Sequence, residues 1–230
     1  MKKLILIGAG VLFAYIASAQ EIRVSDCSPY MELKQAGNWA IEYYTAKDKL
    51  TGSSKTEVLD VNGGVNDVSA VLKTTNYNKN GEETMVQEMG FNCKNGILEM
   101  DMSKHIPSEI FQSFEGTQID MDVENVSYPK TLSVGQKLND GSVKVKIHSG
   151  LTINLNVFLT DRKVESKENV QVPAGNYEAY KISGIIKTTG LIRSEKKVVE
   201  FIAEKVGVVR TELYKKNGKL ESYSVLKEYN

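Results

Sequence analysis

Hydrophobic and polar positions alternate with a period of two along most of the chain. Ile119, Met121 and Val123 alternate with Asp120, Asp122 and Glu124, and Val143, Val145 and Ile147 alternate with Lys144 and Lys146. Ile153, Leu155, Val157 and Leu159 alternate with Asn154, Asn156 and Phe158. One apolar and one polar face predicts antiparallel strands packed on one side. Further strands are predicted at Trp39–Thr45, Val68–Tyr77, Val164–Val172, Tyr177–Ile186, Val198–Ala203, Val206–Tyr214 and Glu221–Tyr229. A continuous series of this kind predicts a mostly β fold, an antiparallel meander curled into an open barrel or a sandwich.

The turns agree with the strands. Lys79-Asn80-Gly81, Lys94-Asn95-Gly96 and Lys216-Asn217-Gly218 punctuate the chain, with Asp140-Gly141 as a fourth signal. Asn-Gly and Asp-Gly accept the positive φ angles of type I′ turns and so mark hairpins. With Asn95-Gly96 as a two-residue loop, Cys93 faces Leu98, Phe91 faces Met100, and Met89 faces Met102. All six then share one side, while a one-residue slip would set Phe91 against Glu99. Pro107, the stripe Ile110, Phe111 and Phe114, and Gly116 predict one short helix. Ser127–Asn139, with Pro129 and Gly135, reads as a loop and as the place where two halves of the β domain could meet.

The amino terminus is an address. Lys2 and Lys3 precede an apolar run ending in Ala17-Ser18-Ala19, the pattern of a secretory signal peptide over residues 1–19. The run is short of the ~20 residues that a spanning helix needs, and no second long apolar run follows it. The domain organisation expected is therefore a leader over 1–19 and a β-rich exported domain over 20–230. The chain has 230 residues with 29 Lys+Arg and 29 Asp+Glu; without the leader's nineteen residues and two lysines it has 211 residues and a formal charge of −2. That balance argues against an electrostatic nucleic-acid binder. Export to a bacterial periplasm or cell surface also changes how the two cysteines read. In an oxidising compartment Cys27 and Cys93 are disulfide candidates, and closing that loop contributes about 4 kcal/mol by chain entropy. Two buried free thiols are the alternative.

Little in the sequence carries catalytic chemistry. No serine-hydrolase elbow, metalloprotease helix signature, phosphate-binding Walker loop or paired Cys-x-x-Cys is present beyond the leader. His105 and His148 are far apart and lack an acidic neighbour in sequence, so each reads as a surface or capping residue. Asp120, Asp122 and Glu124 could offer oxygens to Ca²⁺ but lack the glycine and distal Glu of an EF-hand loop. They read better as a solvated face paired with Lys144 and Lys146. Asn125-Val126-Ser127 matches a glycosylation sequon by chance in a chain whose leader looks bacterial. Trp39 and Tyr43 share one strand face and Tyr44 the other, which places at least one of them in the core. No catalytic residue, metal site or cofactor is expected.

Four further places carry a family resemblance. They are Tyr128-Pro129 followed by Gly135 and Leu138-Asn139-Asp140-Gly141; Val172-Pro173-Ala174-Gly175-Asn176-Tyr177 with Tyr180-Lys181-Ile182; Gly207-Val208-Val209-Arg210 with Glu212; and Asn217-Gly218-Lys219-Leu220. On these the C-terminal half resembles the TapB-like family of exported bacterial proteins, related to a larger family known only as a domain of unknown function. The resemblance implies export and a β-rich fold, and it brings no activity with it.

The functional expectation is an exported, non-catalytic envelope protein that binds a small apolar ligand, a lipid or a partner. Met89, Phe91, Met100 and Met102 are its candidate ligand-binding residues, because methionine faces repack around varied guests; an ordinary filled core is the plainer use of the same side chains. A structural module of the cell envelope working through a sheet edge is the alternative. An enzyme built on carboxylates from distant strands comes last. Expected partners are an apolar small molecule or an envelope protein, with no nucleic acid and no transmembrane segment once the leader is removed.

Overall fold

The computed structural model describes residues 29–31, 34–64, 67–106, 113–114 and 116–230. The predicted leader over 1–19, Cys27, and most of the predicted helix from Pro107 to Gly116 lie outside the described residues. Thirteen strands follow one another: β1 Asn38–Thr45, β2 Leu50–Gly64, β3 Asp67–Asn78, β4 Glu83–Lys94, β5 Ile97–Met100, β6 Gln118–Glu124, β7 Val126–Tyr128, β8 Gly141–Ser149, β9 Leu151–Val172, β10 Gly175–Gly190, β11 Ser194–Ala203, β12 Gly207–Lys215 and β13 Leu220–Tyr229. They form one antiparallel sheet in the order β6-β8-β9-β10-β11-β12-β13-β1-β2-β3-β4-β5-β7. The fold is nearly all β and the sheet curls into a nearly closed barrel. A 3₁₀ turn over Met102–His105 follows β5, with the Ser103 N–H donating to the Asp101 carboxylate at 2.9 Å.

The barrel is closed by one extended segment. β6 and β7 are the two edges of the sheet, yet only Asn125 separates them in the chain. The first part of this segment pairs with β8, from Gln118↔His148 to Glu124↔Ser142. The second part pairs with β5, from Met100↔Val126 to Leu98↔Tyr128. At the crossing, Asn125 Oδ1 accepts from the Met102 N–H at 3.1 Å, and the Asn125 carbonyl accepts from Asn139 Nδ2 at 3.0 Å. Asn139 Oδ1 in turn accepts from the Ser127 N–H at 2.9 Å and the Ser127 hydroxyl at 2.8 Å. Gly141 permits the approach of β8: a Cβ there would stand 2.5 Å from Val126 Cγ1 and 3.0 Å from the Glu124 carbonyl oxygen.

The Asn95-Gly96 hairpin forms with the predicted register, Cys93↔Leu98 and Lys94↔Ile97, and φ is 52° at Asn95 and 80° at Gly96. Pairing stops at Asn92↔Glu99. The expected facing of Met89 and Met102 is replaced by the 3₁₀ turn, which carries Met102 out of the strand. Ser127 and Tyr128, expected in a loop, belong to β7, and the loop proper occupies 129–140. Residues 153–172, read as two strands, belong to the single 22-residue strand β9, which is interrupted near Asp161, where φ is 54° and the register against β10 shifts. His148, expected to lack an acidic neighbour, has one across strands: its Nε2 lies 2.9 Å from Asp120 Oδ2. The carboxylate row on β6 is a paired surface, with Lys144 Nζ 3.2 Å from Asp122 and the Ser142 hydroxyl 3.0 Å from Glu124.

Three apolar clusters fill the molecule. One joins Val58, Val68, Ala70, Leu72, Phe91, Cys93 and Leu98 to Ile202. A second holds Met102, Ile106, Val126 and the inward faces of β8 and β9. A third, around Phe201, Val209, Val225 and Leu226, lies on the opposite face of β11–β13. Burying each large apolar side chain contributes about 1.5–3 kcal/mol, which drives the curling.

Candidate functional site

β1 to β5, β7 and β11 to β13 surround a cavity of about 290 Å³. Its apolar part is made by Leu72, Met89, Phe91, Leu98, Met100 and Ile202. Cross-strand register explains the layering. The row Leu72↔Met89 is followed toward the 45–50 and 78–83 turns by Thr56↔Thr74 and Thr74↔Gln87, and then by Ser54↔Asn76. The cavity therefore grades from an apolar floor to a polar end along the strands. Trp39, Ile41 and Tyr43 of β1 form one side of it.

The polar end is built from uncharged groups. Thr56 Oγ1 and Thr74 Oγ1 are 2.9 Å apart and buried, and Tyr43 Oη lies 2.9 Å from Ser54 Oγ. The partly buried carboxamides of Asn76 and Gln87 also line the cavity, and among the described residues neither makes a side-chain hydrogen bond. None of the twenty-one lining residues is Asp, Glu, Lys, Arg or His. The outer face is different: a groove of about 420 Å³ over β10–β12 is lined by Lys181, Lys196, Lys197, Lys215 and Lys216 with Glu195.

The wall behind Tyr128 holds a buried charge. Arg162, 2% exposed, places its guanidinium carbon 4.7 Å from the centre of the Tyr128 ring. Its Nη1 donates to the carbonyls of Ser127 at 3.3 Å and Asn139 at 3.1 Å. The Tyr128 hydroxyl donates to Glu200 Oε2 at 2.9 Å, and burial pushes that phenol far above its ordinary pKa. Tyr30 crosses the base of the cavity and accepts from the Leu132 N–H at 2.7 Å; burial raises its pKa as well. Arg162 Nη2, by contrast, is buried without a hydrogen-bond partner among the described residues.

Of the four candidate ligand residues, Met89, Phe91 and Met100 line the cavity, and Met102 is fully buried in the second cluster. Cys93 is 1% exposed in the first cluster, and no cysteine among the described residues is free. Sequence reasoning missed Ser54, Thr56, Thr74, Asn76 and Gln87, because inward polar positions look like the solvent side of a strand. The signal that was available is the run of hydroxyl and β-branched residues at Thr51–Thr56 and Thr74–Thr75. Among the described residues no group of His, Cys, Asp and Glu could hold a metal ion, and no helix is long and apolar enough to cross a membrane.

A family model described as DUF3108-like matches residues 34–226. The chain belongs to the DUF3108-like family. This match reaches through the N-terminal half, where the motif resemblance had found only a strand pattern. Two solved structures share the fold of this DUF3108-like chain. One, from Bacteroides fragilis, is described as a candidate exported protein with a YmcC-like fold; it is 21% identical, with a TM-score of 0.72, and the match covers 89% of this chain and 100% of that one. The other is a candidate lipoprotein from Parabacteroides distasonis, 22% identical, also with a TM-score of 0.72, and the match covers 89% of this chain and 99% of that one. No curated protein matches the sequence.

Proposed function

We propose that this DUF3108-like protein is an exported, non-catalytic carrier of the TapB-like kind, holding a small apolar or lipid-like molecule inside its barrel. The observation that carries this reading is the 290 Å³ cavity with Met89, Phe91 and Met100 on its apolar wall. Concave, mostly apolar sites with a few placed polar groups are the usual form of small-molecule sites. The leader pattern at residues 1–19 supports export, and the two structural neighbours are described as exported and as a lipoprotein, respectively. A role as an edge-docking module has less support, because the edge strands are short, at seven and three residues.

Native mass spectrometry of protein purified from a bacterial periplasm tests the carrier. The expected result is a bound small molecule, or uptake of an added fluorescent apolar probe that Leu72→Trp blocks. Protein that arrives empty and takes up no probe would overturn the reading. Export further implies that Cys27 is the partner of Cys93. Thiol titration in denaturant without reductant should find no free thiol, and two free thiols in correctly exported protein would refute the pairing.

A further inference from the structure

The lining of the cavity says more than that its guest is apolar. At about 290 Å³ the cavity lies at the small end of the range of ligand sites, which suits a short guest. That guest would meet an apolar floor at one end and hydroxyls and carboxamides at the other. A hydroxyl offers one donor and two acceptor sites, and a carboxamide offers both kinds. The Asn76 and Gln87 carboxamides keep that capacity unspent among the described residues. The Thr56–Thr74 and Tyr43–Ser54 pairs use one donor each and retain acceptor sites.

No lining group could neutralise a charge. Arg162 and Glu200 both bind Tyr128, but neither lines the cavity. Enclosing an ionised carboxylate or ammonium without a counter-charge is costly, whereas a neutral polar group needs only its hydrogen bonds. We infer that the cavity selects a short amphiphile with an uncharged hydrogen-bonding head, an alcohol, amide or ester, and rejects the acid and the amine of the same chain length. This inference rests on the proposal that the cavity binds a small molecule, and it names the class.

The test uses the purified full chain, stripped of bound lipid, and three probes of equal length: 1-decanol, decanoate and decylammonium. Displacement of a fluorescent apolar probe at neutral pH gives their relative affinities. Decanol is expected to bind at least tenfold more tightly than either ion, and decanoate is expected to gain as the pH falls toward its own pKa. Gln87→Lys places a cation at the polar end and should move the preference toward decanoate. Asn76→Lys serves the same purpose if the first variant does not fold. Decanoate or decylammonium binding as tightly as decanol would overturn the inference and leave the carrier standing. Failure of all three probes, and of the fluorescent probe itself, would remove the carrier and the inference together.

Discussion

Arg162 is a cation inside an apolar sheet, and its surroundings explain why it is tolerated. Two backbone carbonyls at Nη1 and the face of Tyr128 replace part of its water, while Nη2 is buried without a hydrogen-bond partner among the described residues. Removing the side chain leaves both carbonyls without that donor and opens a void beside Tyr128. Arg162→Ala should therefore cost about 2–5 kcal/mol in urea unfolding. Tyr128→Phe keeps the ring and loses only the hydrogen bond to Glu200, so it should cost less, about 1–3 kcal/mol. Equal costs would mean that the hydroxyl's bond to Glu200 holds the wall as firmly as the guanidinium does.

On the outer face, Glu42 accepts from Lys227 at 2.7 Å and from the Tyr44 hydroxyl at 2.7 Å. These bonds, Lys227 first, hold its carboxyl below the usual range, and the bond to Glu42 pushes Tyr44 up to about 12. The carboxyl's contribution to stability is present above the ordinary carboxylate pKa and is lost as the pH falls through the lowered folded value. The phenol's contribution is present below pH 10 and is lost as the pH rises toward 12. Glu42→Gln should lower the melting temperature at pH 7, and the gap from the parent should narrow by pH 3. A gap that stays constant across that range would contradict this account.

Among the elements, hairpins with an Asn-Gly turn and strands with an apolar face were legible before any coordinates. The Asn95-Gly96 register follows from keeping Cys93 and Leu98 on one side. β2 was not legible, because its inner face at Ser54 and Thr56 is polar and its bulge between Val58 and Asp60 breaks the period. The interruption in β9 hid for a related reason. Asp161 at positive φ interrupts the alternation without ending the strand, since local pattern does not record pairing with β10. The same limit split the site. Its methionines and phenylalanine could be read from periodicity, and its hydroxyls and carboxamides could not. The motif Leu138-Asn139-Asp140-Gly141 now has a physical use at the closure of the barrel. Asn139→Ala removes an exposed network around Asn125 and Ser127 and should cost about 1–2 kcal/mol. Gly141→Val forces Val126 aside and should cost about 1–3 kcal/mol, read by the same unfolding curve. A neutral outcome at Gly141 would show that β8 can shift away from the closing segment.

At the scale of the molecule, the sheet is joined in two distant places. β1 pairs with β13, bringing together Asn38 and Asn230, which are 192 positions apart. The 118–128 segment joins β8 to β5. The other strand pairings of the sheet join strands that follow one another in the chain. Contacts of such long sequence separation form late, because their loop-closure entropy is met before they bring any gain. The cavity draws its wall from both sides of the β1–β13 join, with Trp39 and Leu72 on one side and Ile202 and Val208 on the other. A guest thus finds no complete wall until that join has formed. Its binding energy should accordingly appear as slower unfolding, with the refolding rate unchanged, so that a bound guest would lengthen the life of the folded barrel without hastening its assembly.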